Sequence, residues 1–202
     1  MTKNLRVKSS EYIDETNRIS FKFNGKTYHG FKGDTLASAL LANDVHLVGR
    51  SFKYHRPRGI MTSGSEEPNA IVQVNPGTNR TEPNVRATEV EIYEGLEASS
   101  QNCWPSVEFD IGGINNFLSP FFPAGFYYKT FMWPASFWEK YEFFIRHSAG
   151  LGKSPTSNDP DIYDHRNIHC DVLVVGAGIS GILAAKNAVS YTHLRAHETL
   201  QH

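Results

Sequence analysis

The stretch ISFKFNGKTYHGFKGDTLASALLAND, residues 19–44, decides the fold of the first part of this chain. Its apolar residues Ile19, Phe21 and Phe23 alternate with polar ones, which is the period of a strand with one buried face. Asn24-Gly25 follows, and this dipeptide suits a type I′ turn because both central residues of that turn need positive φ. The pattern therefore predicts a β-hairpin.

A helix and two further strands are predicted after the hairpin. Asp34 or Thr35 can cap a helix over LASALLAND that ends near Asn43. Strands are expected at residues 70–74 and 85–93, on either side of a turn-rich segment. A β-grasp, ferredoxin-like module has this order of elements, with a hairpin followed by a helix and then by further strands. The predicted fold class is therefore α+β.

Composition limits the function of the whole chain. The 202 residues are 40% hydrophobic and 20% charged, with a net charge of -1. This balance gives no general attraction to nucleic acid or to an anionic membrane. Two cysteines, Cys103 and Cys170, are too few for a disulfide framework or a metal-ligand set. Without a signal-peptide pattern or an apolar run of about 20 residues, we expect a cytoplasmic protein with no membrane or nucleic-acid partner.

The chain divides by composition into six segments. Residues 97–152 are rich in aromatics and interrupted by prolines, and we expect them to form core or interdomain packing, with a short amphipathic helix at residues 138–147. The full division is a disordered amino terminus (1–17), the ferredoxin-like domain (18–96), the aromatic-rich segment (97–152), a polar linker (153–169), the start of a dinucleotide-binding domain (170–188) and a tail (189–202).

The sequence DVLVVGAGISGILAAKNA, residues 171–188, has the pattern of a Rossmann β-α start. An apolar strand leads into G-x-G-x-x-G, and a helix follows whose free N–H groups attract phosphate. This context favours a dinucleotide-binding turn over a structural glycine loop, although it does not distinguish NAD from FAD. The predicted cofactor-binding residues are Gly176, Ala177, Gly178, Ile179, Ser180 and Gly181.

The tail after about residue 189 does not continue this unit. It supplies no second strand before Glu198, so the ribose-binding acid of the fingerprint is not expected there. The string SYTHLRAHET resembles translated sequencing-adapter DNA, and we interpret the tail as non-native. His193 and His197 have the spacing of zinc ligands but lack a third ligand, so no metal site is predicted.

A basic loop at residues 49–58 leaves three interpretations open. Its arginines, lysine and histidine are interleaved with Phe52 and Tyr54. Such a loop can bind phosphate or single-stranded nucleic acid, can pair with acids inside the protein or at a subunit interface, or can lie solvated on the surface. The internal or interface role is favoured.

Five segments together resemble the alpha subunit of heterotetrameric sarcosine oxidases. They are GDTLASALLAND, RSFKYHRPRGIMTSGSEEPNA, PNVRATEVEIYEGL, AGFYYKTFMWP and DVLVVGAGISG, and the resemblance runs from about residue 18 to residue 188. It implies an amino-terminal fragment of a subunit that contributes to the oxidative demethylation of sarcosine to glycine, with the one-carbon unit passed to tetrahydrofolate. The implied partners are the beta, gamma and delta subunits.

The resemblance also carries expectations about cofactors. It implies NAD in the complete alpha subunit and FAD and FMN in the beta subunit. Some relatives hold a [2Fe-2S] cluster with a C-x4-C-x2-C loop, but the corresponding residues 60–69 here have no cysteine, so no iron–sulfur cluster is expected. No catalytic residue can be assigned, and the fragment alone is expected to be inactive and to bind a dinucleotide weakly.

Two alternatives to sarcosine oxidase stay open at this point. The chain can come from the alpha subunit of a related complex of the opine oxidase, proline dehydrogenase or hydrogen cyanide synthase type. It can also be a non-catalytic scaffold that docks partner subunits through its aromatic segment and basic loop.

Overall fold

The computed structural model describes residues 5–7, 13–121, 133–148 and 150–191. The chain separates into two compact units, residues 1–160 and 161–202. The first unit contains the predicted β-grasp module, and the second contains the glycine turn.

The predicted hairpin is confirmed. Strand β1 (Asp14–Phe23) pairs antiparallel with β2 (Lys26–Lys32), with Phe23 opposite Lys26. The two turn residues, Asn24 and Gly25, have φ angles of 50° and 76°, as a type I′ turn requires.

The predicted capped helix is also confirmed. Helix α1 (Leu36–Ala42) begins after Thr35, whose hydroxyl accepts a hydrogen bond from the Ser38 N–H at 3.1 Å. Two other N–H groups of its first turn donate to carbonyl oxygens of a later segment, Leu36 to Val90 and Ala37 to Ala87. Because these donors have no partner within the helix, the later segment completes the helix start.

The hairpin is joined by three later strands, β5 (Ile71–Val74), β6 (Glu82–Arg86) and β7 (Glu97–Ser100). The five strands form the main sheet in the order β2-β1-β7-β5-β6. Strand β5 lies between β6 and β7, antiparallel to both. Strand β7 pairs parallel with β1, with Phe23 opposite Ala98, and so joins the two halves of the sheet. The largest side chains of the hydrophobic core under this sheet belong to Phe21, Phe23, Leu36, Leu40 and Leu96.

The later strands differ from the sequence prediction. The strand expected over residues 85–93 ends at Arg86, because residues 87–90 turn away to meet the start of α1. Strand β7 was not predicted. A two-stranded ribbon, β3 (Gly49–Arg50) and β4 (Pro57–Arg58), brackets the basic loop and was not predicted either.

The amino terminus also differs from the expectation of disorder over residues 1–17. Strand β1 begins at Asp14, and Arg6 forms a two-pronged ion pair with the buried carboxylate of Asp34. Asp34 also accepts hydrogen bonds from the Phe31 N–H at 2.9 Å and the Ser38 hydroxyl at 2.8 Å. A buried carboxylate needs such partners, so it recruits Arg6 from the terminal segment.

The aromatic-rich segment contains short helices rather than long elements. They are the 3-10 turns Ile111–Gly113, Ser119–Phe121 and Ala135–Phe137, and the helices α2 (Ile114–Phe117) and α3 (Trp138–Ser148). Helix α3 confirms the helix predicted at residues 138–147. Much of the motif AGFYYKTFMWP lies outside the described residues. Among the described aromatics, Phe117 and Trp133 are more than 80% exposed, so they do not form core within this chain.

Residues 150–157, which we call the strap, are attached to the sheet by side-chain amides. Gln73 accepts a hydrogen bond from the Lys153 N–H at 3.0 Å and donates one to the Lys153 carbonyl oxygen at 2.8 Å. Asn84 accepts from the Gly152 N–H at 3.0 Å. The segment predicted as a linker from residue 153 onward is therefore attached to the first unit at its start.

The second unit has one described element. Helix α4 (Ile179–Tyr191) follows an extended segment in which no strand forms over the described residues 161–178. The apolar run predicted as the first Rossmann strand is exposed, with Val175 at 81%. A strand needs a neighbouring strand to satisfy its backbone groups, and the described part of this unit offers none. The tail beyond residue 191 lies outside the described residues.

Candidate functional site

The glycine turn has two geometric features of a phosphate-binding loop. Gly176 has a φ angle of 107°, a conformation that side chains rarely adopt. A Cβ on Gly181 would overlap the carbonyl oxygen of Gly176, so the turn and the helix approach too closely for any other residue. These two glycines are needed by the turn itself.

The remaining glycine of the motif has a different environment. A Cβ added to Gly178 would meet no atom within 4 Å, so space is open beside its backbone. The Gly178 carbonyl oxygen accepts the Ile182 N–H at 2.9 Å and begins the hydrogen bonding of α4. Ile179 and Ser180 form the first turn of this helix. The residues present therefore fit a pyrophosphate approaching the backbone at Gly178 and the free N–H groups of the helix start.

The loop of residues 60–69, where the resemblance would place cluster cysteines, surrounds a carboxylate instead. Glu67 is 1% exposed, and its Oε2 accepts hydrogen bonds from the N–H groups of Met61 at 2.8 Å and Thr62 at 2.6 Å. Its Oε1 accepts from Asn69 at 2.8 Å and Ala70 at 3.1 Å. Burial by itself raises the pKa of Glu67, but the hydrogen bonds from these backbone N–H groups lower it by a larger amount. The net effect is to lower the pKa of this carboxyl from its ordinary 4.5 to about 2. The loop is therefore organised around an internal anion.

Neither cysteine is presented as a ready metal ligand. Cys103 is partly buried, and burial, reinforced by the charge of Asp110, raises the pKa of its thiol. A thiol with a raised pKa stays protonated at neutral pH, whereas a metal ligand must be a thiolate. Cys170 is exposed and lies in the second unit. Within the described parts of the chain, no three His, Cys, Asp or Glu side chains are grouped so as to hold a metal ion.

Two arginines of the basic loop make internal contacts. Arg50 donates hydrogen bonds to the carbonyl oxygens of His55, Val107 and Glu108, at 3.2, 2.8 and 3.1 Å. Arg56 donates to Asn116 at 2.8 Å. Of the three interpretations of this loop, internal pairing describes these side chains, although the partners are mostly carbonyl oxygens rather than acids.

A histidine–carboxylate pair at this loop was missed by the sequence analysis. The Nδ1 atom of His55 lies 2.6 Å from Oδ2 of Asp110, and the Asp110 side chain is 1% exposed. Oδ1 of Asp110 accepts the N–H groups of Trp104 at 3.0 Å and Gly112 at 3.1 Å. Because the partners are separated by 55 residues, no local pattern indicates the pair.

One family of known domains matches the first unit. Residues 16–103 match the family described as "2Fe-2S iron-sulfur cluster binding domain". This range contains the five-stranded sheet except the first two residues of β1, together with its helix and the loop around Glu67. The match confirms the ferredoxin-like interpretation of this part of the chain.

Curated relatives extend the similarity into the second unit. The chain is 60% identical over 184 residues to a protein named sarcosine oxidase subunit alpha from Rhizobium meliloti (strain 1021), which is 91% of this chain. Over these 184 residues, the chain is homologous to part of a sarcosine oxidase alpha subunit. Two Corynebacterium proteins of the same name, from strains U-96 and P-1, are 32% and 33% identical over 178 residues. These sarcosine oxidase alpha relatives are far longer, since the chain spans 18% of the first and 14% of the other two.

One solved structure is more weakly similar to this chain. It is titled a crystal structure of L-proline dehydrogenase from P. horikoshii, and it is 25% identical with a TM-score of 0.34. The match covers 42% of this chain and 16% of that one. A TM-score this low supports no conclusion about function.

The family match corrects one expectation from the sequence. We expected no iron–sulfur cluster, and this expectation is wrong because the matched family is a 2Fe-2S cluster binding domain. Such a cluster is usually bound by four cysteine thiolates, and this chain has two cysteines in all. The residues of the loop around Glu67 therefore do not fit the usual four-cysteine site.

The described residues include no helix that is both long enough and apolar enough to span a membrane.

Proposed function

We propose that this chain is part of the alpha subunit of a sarcosine oxidase complex. The observation that carries the proposal is the 60% identity, over 184 residues, to the Rhizobium meliloti sarcosine oxidase subunit alpha. The reaction is the flavin-dependent oxidative demethylation of sarcosine to glycine, linked to tetrahydrofolate. The chain acts in it together with beta, gamma and delta subunits, in the cytoplasm.

Within that complex, the second unit contributes the start of a Rossmann domain that binds a dinucleotide. The proposed contacts are made by the backbone of Gly176, Ala177, Gly178, Ile179, Ser180 and Gly181. The open space beside Gly178 supports this role, because a pyrophosphate can approach the backbone there. The dinucleotide is proposed to be NAD, which accepts a hydride when it takes part in a reaction. This chain's own residues supply only binding and orientation: N–H groups at the start of α4 donate to phosphate oxygens.

A chimaeric complex tests the proposal. The corresponding segment of the Rhizobium meliloti alpha subunit is replaced by residues 14–188 of this chain, and the chimaera is expressed with its partner subunits. We expect an assembled complex that oxidises sarcosine, measured as sarcosine-dependent oxygen uptake. An assembled complex without this activity, or one that instead oxidises proline or an opine, contradicts the assignment.

The dinucleotide contacts are tested in the same chimaera. Gly178→Val fills the open space beside the turn, and we expect the purified complex to lose its NAD while it still assembles. The matched control is Gly113→Val, at a glycine of the first unit where an added Cβ also meets no atom within 4 Å. Equal NAD content in the two variants would show that the glycine turn does not contact the NAD.

The exposed aromatics of the first unit support a docking role toward the other subunits. Phe117, Phe121 and Trp133 are 81%, 74% and 82% exposed. Such large exposed apolar side chains are typical of protein interfaces. In the chimaera, we expect Phe117→Ser with Phe121→Ser to weaken co-purification of a partner subunit, whereas the exposed control Val7→Ser leaves it unchanged. Full assembly of the double variant would show that this face does not bind a partner subunit.

A further inference from the structure

A cleft in the first unit lies between the basic loop, the Trp104–Gly112 segment and the strap. Its volume is about 1070 Å³. Small-molecule sites usually measure roughly 300–1,000 Å³, so the cleft has room for a ligand of cofactor size. All of its lining residues lie at or before residue 157, so it is separate from the glycine turn.

The His55–Asp110 pair lies in the wall of this cleft. Both oxygens of Asp110 are occupied, one by His55 Nδ1 and the other by two backbone N–H groups. Since Nδ1 is held by Asp110, Nε2 is the ring nitrogen left for a ligand, and the pair fixes its orientation. A carboxylate that orients an imidazole in this way prepares it to form a hydrogen bond or to exchange a proton.

The backbone around His55 holds this residue in an uncommon conformation. Its φ angle is 52°, in the left-handed region that few residues other than glycine adopt. The Ser51 carbonyl oxygen accepts its N–H at 3.1 Å, and Arg50 donates to its carbonyl oxygen at 3.2 Å. A Cβ on Gly112 would overlap the imidazole ring, so the residue beside it has to be a glycine. Strain maintained by several surrounding contacts is typical of functional positions.

The other lining residues indicate the chemistry of the ligand. Phe52 and Trp104 are 55% and 69% exposed, and aromatic rings exposed in a cleft offer stacking surfaces. Lys53 and Lys153 also line the cleft, and the one acidic side chain among its lining residues, Asp110, has both carboxylate oxygens engaged in hydrogen bonds. The cleft therefore favours a planar ring that carries an anionic group.

We propose that this cleft is a binding site for a mononucleotide or a chemically equivalent heteroaromatic anion. The ring stacks on Trp104 or Phe52, the anionic group lies toward the lysines, and Nε2 of His55 hydrogen bonds to the ring or its substituents. The site is independent of the proposed dinucleotide turn, because it lies in the other unit.

Titration of the 202-residue chain with AMP tests this site, with adenosine and inorganic phosphate in parallel. Two signals are followed: tryptophan fluorescence and the ¹⁵N shifts of the His55 imidazole. We expect AMP to quench the fluorescence and to move the His55 resonances, adenosine to bind more weakly than AMP, and phosphate alone to leave the fluorescence unchanged. The His55 signals are measured in the unmodified protein, so this readout does not depend on a variant that folds.

Matched tryptophan variants locate the ligand. Trp104→Leu is expected to weaken AMP binding about tenfold, since stacking of a base on an aromatic ring contributes roughly 1–3 kcal/mol. Trp133→Leu, at an exposed tryptophan that does not line the cleft, is expected to leave the affinity unchanged. Both positions are exposed, so neither change removes a core side chain.

Four results would each overturn the proposal. They are no AMP binding at millimolar concentration, equal loss in the two tryptophan variants, His55 resonances that do not move, and loss of AMP binding in Gly178→Val. The last result would show that AMP binds at the glycine turn. It would support the proposed function and exclude the cleft as the AMP-binding site.

Discussion

The hydrogen bonds of Glu67 give a sharp prediction for the variant Glu67→Gln. Glutamine keeps the size of the side chain but has one acceptor oxygen where glutamate has two. Two backbone N–H groups donate to each carboxylate oxygen, so at least two of the four lose their acceptor and face an NH₂ group. An unsatisfied buried donor costs about 1–3 kcal/mol, so we expect a loss of about 2–6 kcal/mol in the free energy of unfolding.

The same variant should change how stability depends on pH. The pKa of Glu67 is about 2 in the folded protein and ordinarily 4.5. Because the folded-state pKa is depressed, the charged carboxylate stabilises the protein above pH 4.5, and this contribution falls as the pH drops toward 2. The difference corresponds to about 3 kcal/mol. Glu67→Gln lacks a titrating group here and should lose correspondingly less stability between pH 5 and pH 2.5.

Urea unfolding followed by far-ultraviolet circular dichroism, at pH 7, 5, 4 and 2.5, measures both effects. The control is Glu66→Gln, because Glu66 is the adjacent exposed carboxylate in the same loop. We expect this control to unfold close to the wild-type midpoint at pH 7. If the two variants unfold at the same urea concentration, the loop is not organised around the Glu67 carboxylate and the reasoning is refuted.

Two further substitutions test the packing of the β-grasp core. Asp34→Asn removes a charge from the buried pair with Arg6, and we expect a loss of about 3 kcal/mol in urea unfolding, whereas the exposed control Asp44→Asn should have little effect. Gly30→Ala places a Cβ 2.5 Å from Ile92 Cδ1, and this overpacking should lower the free energy of unfolding by about 1–3 kcal/mol. Gly113→Ala, which meets no atom within 4 Å, is its control. An unchanged thermal midpoint in either core variant would show that the surroundings relax more than the structure indicates.

Sequence alone predicted the elements whose causes are local. The hairpin turn depends on two adjacent residues, Asn24 and Gly25, and the start of α1 depends on one side chain, Thr35. Strand β7 was missed because its sequence, EASS, has no apolar alternation, and its partners lie far away in the chain. The family resemblance, rather than periodicity, identified the relatives.

The site residues also divide into those that a local motif indicates and those that depend on distant parts of the chain. Gly176 and Gly181 were predicted from the motif, and their conformation and close packing are those of such a turn, while their role as cofactor contacts stays a prediction. Glu66 and Glu67 look equivalent in the sequence, and only the fold makes one exposed and the other buried. The pairing of His55 with Asp110 could not be predicted, because it depends on two loops meeting across 55 residues.

The parallel pairing of β1 with β7 has a consequence for synthesis on the ribosome. The hairpin emerges first, but its neighbour in the sheet begins at Glu97, opposite Lys22. Closing a loop of that length is slow compared with forming the hairpin. The edge of β1 that pairs with β7 therefore keeps unpaired backbone N–H and C=O groups until about one hundred residues have left the exit tunnel, and during that interval another strand can pair with it.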